Sequence, residues 1–203
     1  MNKYALLSVS DKTNLKLIAL ALLRWGYILL STGGTAKALR EMGIAVTDVG
    51  AHTGFPEMLD GRVKILHPKI FGGILYIRGN DAHQTVVAEH GIGPIDFVIG
   101  NLYPFEQTVA NPHCTVPDAV GNIDIGGPSG LRAAAKNHES VTVVVDPADY
   151  EAVAEELDSN NGATTPALRV RLARKVFRKT SEYDLAIANW MDEHGPELVD
   201  AAA

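Results

Sequence analysis

The densest grouping of chemically useful residues is Ser31-Thr32-Gly33-Gly34-Thr35, which lies between a strand-like run and a helical pattern. At such a junction free backbone N–H groups meet the positive end of the helix dipole, and glycines let a phosphate approach closely. The three hydroxyls add donors; a plain glycine turn with a threonine N-cap would also account for the string. A second polar turn, with Ser8, Ser10, Asp11, Lys12 and Thr13, follows the first strand-like run. Ligands of parallel sheets collect at the carboxyl ends of strands, so two hydroxyl-rich turns at two strand ends point to one shared phosphate site.

Other chemistry-bearing groups fall at comparable places. Gly61-Arg62-Val63-Lys64-Ile65-Leu66-His67-Pro68-Lys69 holds three cations and a histidine in nine residues of irregular chain. The apolar stretch Thr53–Leu59 before it would pin the segment down, and a pinned cationic loop suits an anion; a solvated loop is the plainer reading. If the segment is extended, Arg62 and Lys64 point the same way. Asn101-Leu102-Tyr103-Pro104 ends another strand-like run, where Tyr103 either serves the site or covers the sheet edge. Asp124 precedes the glycine pair Gly126-Gly127 and a helix start, as a functional carboxylate or a turn residue. Lys136 falls in the last turn of that helix, where the dipole favours a cation in any case.

Several classes are excluded. The seven histidines show no short metal-ligand pairing with one another or with Cys114, so no metal site is expected. No Gly-x-Gly-x-x-Gly or Walker-type loop is present, so neither NAD nor ATP is indicated. A net charge of −6 argues against nucleic acid. The charge is uneven: residues 1–80 carry +5 and residues 81–203 carry −11, which suits a small anion bound by the first part. The longest apolar run, Leu17–Leu23, is far too short for a membrane span, and no signal-peptide pattern opens the chain. A lone cysteine makes a reducing, cytoplasmic setting the default.

The elements that must position these groups alternate between short apolar runs and helical patterns, the mark of βαβ units on a parallel sheet. Strands are expected at Tyr4–Val9, Tyr27–Leu30, Val46–Val49, Asp96–Asn101 and Val141–Val145. Helices are expected at Leu15–Trp25, Thr35–Met42 (closed by Gly43), near His83–His90, and at Pro128–Asn137 and Asp149–Leu157. Pro166–Met191 reads as one long helix or two. Gly50–Gly73 shows no period and is long for a mere connection, so it is expected to be functional, with order resuming at Ile74–Ile77. A loop is expected from Asn111 to Pro117. At 203 residues and 46% apolar composition, one domain is the simplest division.

Eight strings resemble the IMP cyclohydrolase domain, the N-terminal part of a bifunctional purine-biosynthesis protein whose other part is AICAR transformylase. They are SVSDKT (8–13), STGGTAKAL (31–39), TGFPEMLDGRVK (53–64), LHPK (66–69), NLYPF (101–105), NIDIGGP (122–128), RAAAKNH (132–138) and VTVVVDPADY (141–150). The resemblance covers roughly residues 4–191 in the right order. It implies an α/β fold, a methylglyoxal-synthase-like three-layer α/β/α sandwich with a parallel sheet and a helical C-terminal segment. It also implies closure of formyl-AICAR to IMP with loss of water, with no metal or organic cofactor, in a cytoplasmic homodimer. Residues 1–203 are expected to form a single cyclohydrolase-like domain without the transformylase.

Carried over by position, the substrate-binding residues are Ser10, Asp11, Lys12, Thr32, Gly33, Gly34, Thr35, Arg62, Val63, Asn101, Ile125 and Gly126, and the catalytic group is Lys64, Tyr103, Asp124 and Lys136. Lys136 and Asp124 are assigned to the attacking amide, and Lys64 and Tyr103 to the formyl oxygen. Four positions depart from the family pattern. Ile65 stands for a threonine, Phe71 for a histidine, Gly100 for a larger residue and Gly130 for a bulky apolar one, so affinity and rigidity are expected to suffer there. A mid-helix glycine costs about 1 kcal/mol relative to alanine. Two rivals share the fold: a nucleotide-sensing regulatory domain, which needs the phosphate turn but not the four catalytic groups, and methylglyoxal synthase, which would not share the strings through 101–138.

Overall fold

A computed structural model describes residues 2–59 and 63–201 of the chain. Five parallel strands form one sheet in the order β3-β2-β1-β4-β5: β1 (Lys3–Ser8), β2 (Tyr27–Ser31), β3 (Thr47–Asp48), β4 (Ile95–Gly100) and β5 (Thr142–Val144). The chain winds outward from β1 through β2 to β3, then crosses back to β4 on the other side of β1. The reversal leaves a crevice between the carboxyl ends of β1 and β4, where such sheets place their ligands.

Alternation along the strands divides the core. Ala5, Leu7, Leu29, Phe97, Ile99 and Val144 face one side, under helices α1 (Leu15–Arg24), α2 (Gly33–Glu41) and α9 (Tyr150–Ser159). Leu6, Leu30, Val98 and Val143 face the other, under α3 (Val49–Thr53), α4 (Pro68–Leu75), α8 (Gly126–Lys136) and the middle of α10 (Pro166–Glu193). A strand with side chains alternating between two covered faces must be apolar at every position, which is why these runs are continuous. The three-layer sandwich expected from the sequence is present, and Pro166–Glu193 is one helix of 28 residues.

The structure corrects several expectations. Gly50–Gly73 is not unstructured: it contains α3, an antiparallel bridge between Met58 and Val63, and the first turns of α4. Ile74–Ile77 is the end of α4 and its exit, not a new start. Gly43 follows α2 with φ +75, and the Ile44 N–H reaches back to Leu39, so it closes the helix as expected. The remaining helices are α5 (Asp81–Glu89), α6 (Phe105–Val109), α7 (Val116–Gly121) and α11 (Gly195–Ala201). Of these, α6 and α7 flank the loop expected at residues 111–117, of which only Val116 and Pro117 lie in α7. They pack with the end of α10 around Phe105, Ala119, Tyr183 and Trp190, a satellite core outside the two layers.

His52 lies on α3 with its ring centroid 4.7 Å from that of Tyr4, and its Nε2 is buried without a partner among the described residues. Burial first, then the nearby Lys69 and His67, hold its pKa below the ordinary imidazole value. The folded chain thus binds this proton less readily than the unfolded chain. Stability from His52 is complete above the unfolded pKa of about 6.5 and is lost as pH falls from there through the lower folded value. In urea titrations between pH 8 and 5, His52→Phe is expected to lose less stability on acidification than the parent chain. Equal acid slopes would show that this ring plays no part.

Candidate active site

A cleft of about 1010 Å³ opens at the carboxyl ends of the strands. Its floor is made by the β1 exit (Ser8–Lys12), the start of α2 (Thr32, Gly34 and Thr35) and Asn101; its walls carry Lys64, Tyr103, Asp124, Ile125 and Gly126.

The floor is built by side chains that bridge strands. Asn101 Oδ1 accepts the backbone N–H groups of Ser10 (2.6 Å) and Asp11 (3.0 Å), and its Nδ2 donates to the Asp11 carbonyl (3.0 Å). The Ser10 hydroxyl lies 2.7 Å from the same Oδ1 and 3.0 Å from the Leu102 carbonyl. Asn101 therefore ties the β1 exit to the end of β4 across the topological reversal. Thr35 Oγ1 accepts the Val9 N–H (3.0 Å) and donates to the Val9 carbonyl (2.9 Å), while buried Ser31 donates to the Leu7 carbonyl (2.7 Å). Of the three hydroxyls expected to add donors for a phosphate, two are thus spent on holding β1. The backbone is what remains for an anion: α2 begins at Gly33, and Thr32 makes no side-chain cap to its first turn, which carries no acidic residue. Gly33 has φ +47, a conformation that strains any residue with a Cβ, so the string needs a glycine there.

Charge at the floor is partly self-compensated. Hydrogen bonds from Thr13 hold the Asp11 carboxyl below the usual range and turn it toward its own loop. Lys12 bends back toward the Ser10 carbonyl (3.2 Å) at the rim.

On the walls, Asp124 sits just before α8. Its Oδ1 accepts the Gly127 N–H (3.0 Å), and its own N–H donates to the Tyr183 hydroxyl (2.8 Å). The carboxylate is both turn-forming and aimed at the cleft, so the two readings of Asp124 are not exclusive. Tyr103 is half exposed at the mouth. Lys64 is exposed, but its neighbour Ile65 is buried against α8: a Cβ on Gly126 or Gly130 would stand 3.4 Å from Ile65 side-chain atoms. A Cβ on Gly100 would stand 3.4 Å from Leu131, the residue after Gly130. Three of the four departures therefore meet in one packed region, where a larger residue at 65 occupies space above glycines in α8. The expected loosening at Ile65 and Gly130 is not what the packing shows. Phe71 packs at the margin of the same core face.

Not every expected residue reaches the cleft. Lys136 is exposed at the far end of α8, and an 11-residue helix puts it roughly 15 Å along the axis from Asp124. It does not join Lys64, Tyr103 and Asp124 within this chain, because the helix that begins at the site carries it away. Val63 faces a separate apolar hollow with Phe55, Pro56 and Met58. Gly33 opens the turn next to the lining residues rather than lining the cleft itself. Arg62 lies outside the described residues.

Sequence reasoning missed other lining groups. Asp146 follows β5, and the strand-end rule that found Asn101 would have found it. Hydrogen bonds from Lys175 (2.7 Å) and the Ala148 N–H lower its pKa. Burial opposes the Lys175 ammonium, but its bonds to Asp146 and Asp149 outweigh that and raise its pKa. Lys179, one turn further along α10, also lines the cleft. Nothing local in a long helix marks it.

A five-stranded parallel sheet with both faces covered and a crevice at its reversal defines a doubly wound α/β domain. Residues 15–129 match the MGS-like domain model, and the chain belongs to that family. Residues 134–202 match the AICARFT/IMPCHase bienzyme model. The chain is 58% identical over 189 residues to the bifunctional purine biosynthesis protein PurH of Magnetococcus marinus, a match covering 93% of this chain and 36% of that protein. It thus spans about a third of that curated relative's length. It is also similar to the crystal structure of ForH, at 38% identity and a TM-score of 0.80, over 92% of this chain and 97% of that one. These matches bear out the resemblance and the fold read from the sequence.

Proposed function

We propose that residues 1–203 work as one cyclohydrolase domain that closes formyl-AICAR to IMP with loss of water. The observation that carries this reading is the convergence of Lys64, Tyr103 and Asp124 on the walls of a cleft whose floor offers the uncapped start of α2. The PurH relative and the IMPCHase family match support the same reaction.

In the reaction the carboxamide nitrogen bonds to the formamide carbon of the same molecule, the carboxamide and formamide nitrogens each give up one proton, and the formyl oxygen departs with both as water. The nucleophile and electrophile are already tethered, so holding the folded conformer meets much of the entropic cost. The first turn of α2, with Lys12 and Thr32, would hold the phosphate and fix where the base lies. The Asp124 carboxylate is placed to accept a proton from the attacking nitrogen. Lys64 and Tyr103 are donors for the negative charge that develops on the formyl oxygen and for its departure as water. Gly126, Ile125 and the Asn101-held loop bound the base and ribose.

Purified protein mixed with formyl-AICAR should change the ultraviolet absorbance to that of IMP. Binding of IMP without any conversion of formyl-AICAR would instead favour a nucleotide-sensing domain. A homodimer in the cytoplasm belongs to the same reading. Exposed Phe177 and Leu185 on α10 supply apolar surface for a second copy, and no helix among the described residues is long and apolar enough to cross a membrane. Sedimentation at micromolar concentration should give twice the chain mass.

A further inference from the structure

We propose that Tyr183 is a positioning residue for Asp124: the hydroxyl of a buried tyrosine on the C-terminal helix holds the turn that aims the carboxylate into the cleft. The proposal rests on the assignment of Asp124 given above and deepens it. Tyr183 is 59 residues from Asp124 in sequence, yet its hydroxyl accepts the Asp124 N–H at 2.8 Å. The tyrosine is only 7% exposed, and its ring stands edge-on to Phe105, itself edge-on to Trp190. The hydroxyl is therefore fixed from behind by an aromatic cluster belonging to α6 and α10. Its oxygen points at one backbone N–H.

The carboxylate is held from the other side as well. Oδ1 accepts the Gly127 N–H at 3.0 Å, and a Cβ on Gly127 would stand 2.2 Å from Oδ2. The backbone of Asp124 is thus held by α10 and its side chain by the first turn of α8, with the absence of a side chain at 127 leaving the carboxylate its place. Two independent holds on one residue leave little freedom to rotate, which is what a general base needs if it is to meet a proton at the start of the reaction. Burial, which first of all raises the Tyr183 pKa, keeps the phenol neutral, so it accepts from the backbone without setting a second negative charge beside the carboxylate.

Tyr183→Phe keeps the ring and its aromatic neighbours and deletes only the oxygen. It is expected to lower kcat for ring closure by about 10- to 100-fold, the scale of a small misplacement of a reacting group. KM for formyl-AICAR, affinity for IMP and the thermal midpoint should stay near those of the parent chain. In an Asp124→Asn background the same change should cost almost nothing further, because the group being positioned is already gone. Gly127→Ala should reproduce the kcat loss from the other side, and it serves if Tyr183→Phe folds poorly. A parental kcat in Tyr183→Phe beside an impaired Asp124→Asn would overturn the positioning role alone. An unimpaired Asp124→Asn would overturn both this proposal and the catalytic assignment beneath it. Equal additional loss in the two backgrounds would mark Tyr183 as merely structural.

Discussion

Asp124→Asn is expected to slow conversion of formyl-AICAR to IMP by about 10²–10⁴-fold, the usual contribution of a positioned general base. The substitution is nearly isosteric. The amide oxygen can still accept the Gly127 N–H, and the backbone bond to Tyr183 is untouched, so the turn and the start of α8 should stay in place. What disappears is the capacity to take a proton from the carboxamide nitrogen. KM and IMP affinity should accordingly change by no more than a few-fold, and stopped-flow absorbance with saturating substrate would separate the two. A rate within threefold of the parent chain would remove Asp124 from the chemistry and leave it as the cap of α8.

The second large effect is expected at Asn101, and it is of a different kind. Asn101→Ala removes an oxygen that accepts two backbone N–H groups and lies beside the Ser10 hydroxyl, together with a nitrogen that donates to the Asp11 carbonyl. An unpaired group in such a place costs about 1–3 kcal/mol, and solvent at the cleft mouth makes up some of what is lost. The β1 exit would then be free to leave β4, opening the floor on which the phosphate rests. Affinity for IMP, read by calorimetry, should fall by about 10- to 100-fold, a factor of ten for each 1.4 kcal/mol. The rate at saturating substrate should fall much less. A parental affinity would show that Asn101 does not shape the phosphate floor. Loss of kcat at parental affinity would instead place it among the reacting groups.

The contrast between these residues shows how much of the site could be read in advance. Ser10, Thr32 and Asn101 follow from one rule, that polar residues just after apolar runs lie at the ligand-binding edge of a parallel sheet, and Asp124 from its place before a glycine pair and a helix start. What each side chain does there was not legible. Thr35 and Ser31 carry hydroxyls that look equally free, yet both are committed to β1, because the backbone groups of Leu7 and Val9 where that strand ends need partners. Lys136 was grouped with Asp124 through a matching string. A string carries no length along an axis, and the intervening helix sets the two apart. Lys179 and Tyr183 gave no signal, since one position in a 28-residue amphipathic helix resembles another until its neighbours are known. The short helices α6 and α7 were missed for a related reason: segments of five and six residues do not hold a helix alone and owe theirs to packing around Phe105 and Trp190.

By itself the amino-acid order determined the layered α/β architecture, the strand identities and the family, because apolar alternation, helix punctuation and long matched strings are local properties. Only the tertiary structure decided which hydroxyls stay available, which lysines share the cleft, and that Ile65 fits over the glycines of α8. Those are relations between segments tens of residues apart. They arise when burial forces each polar group to find a partner, and no window of sequence contains both members of the pair.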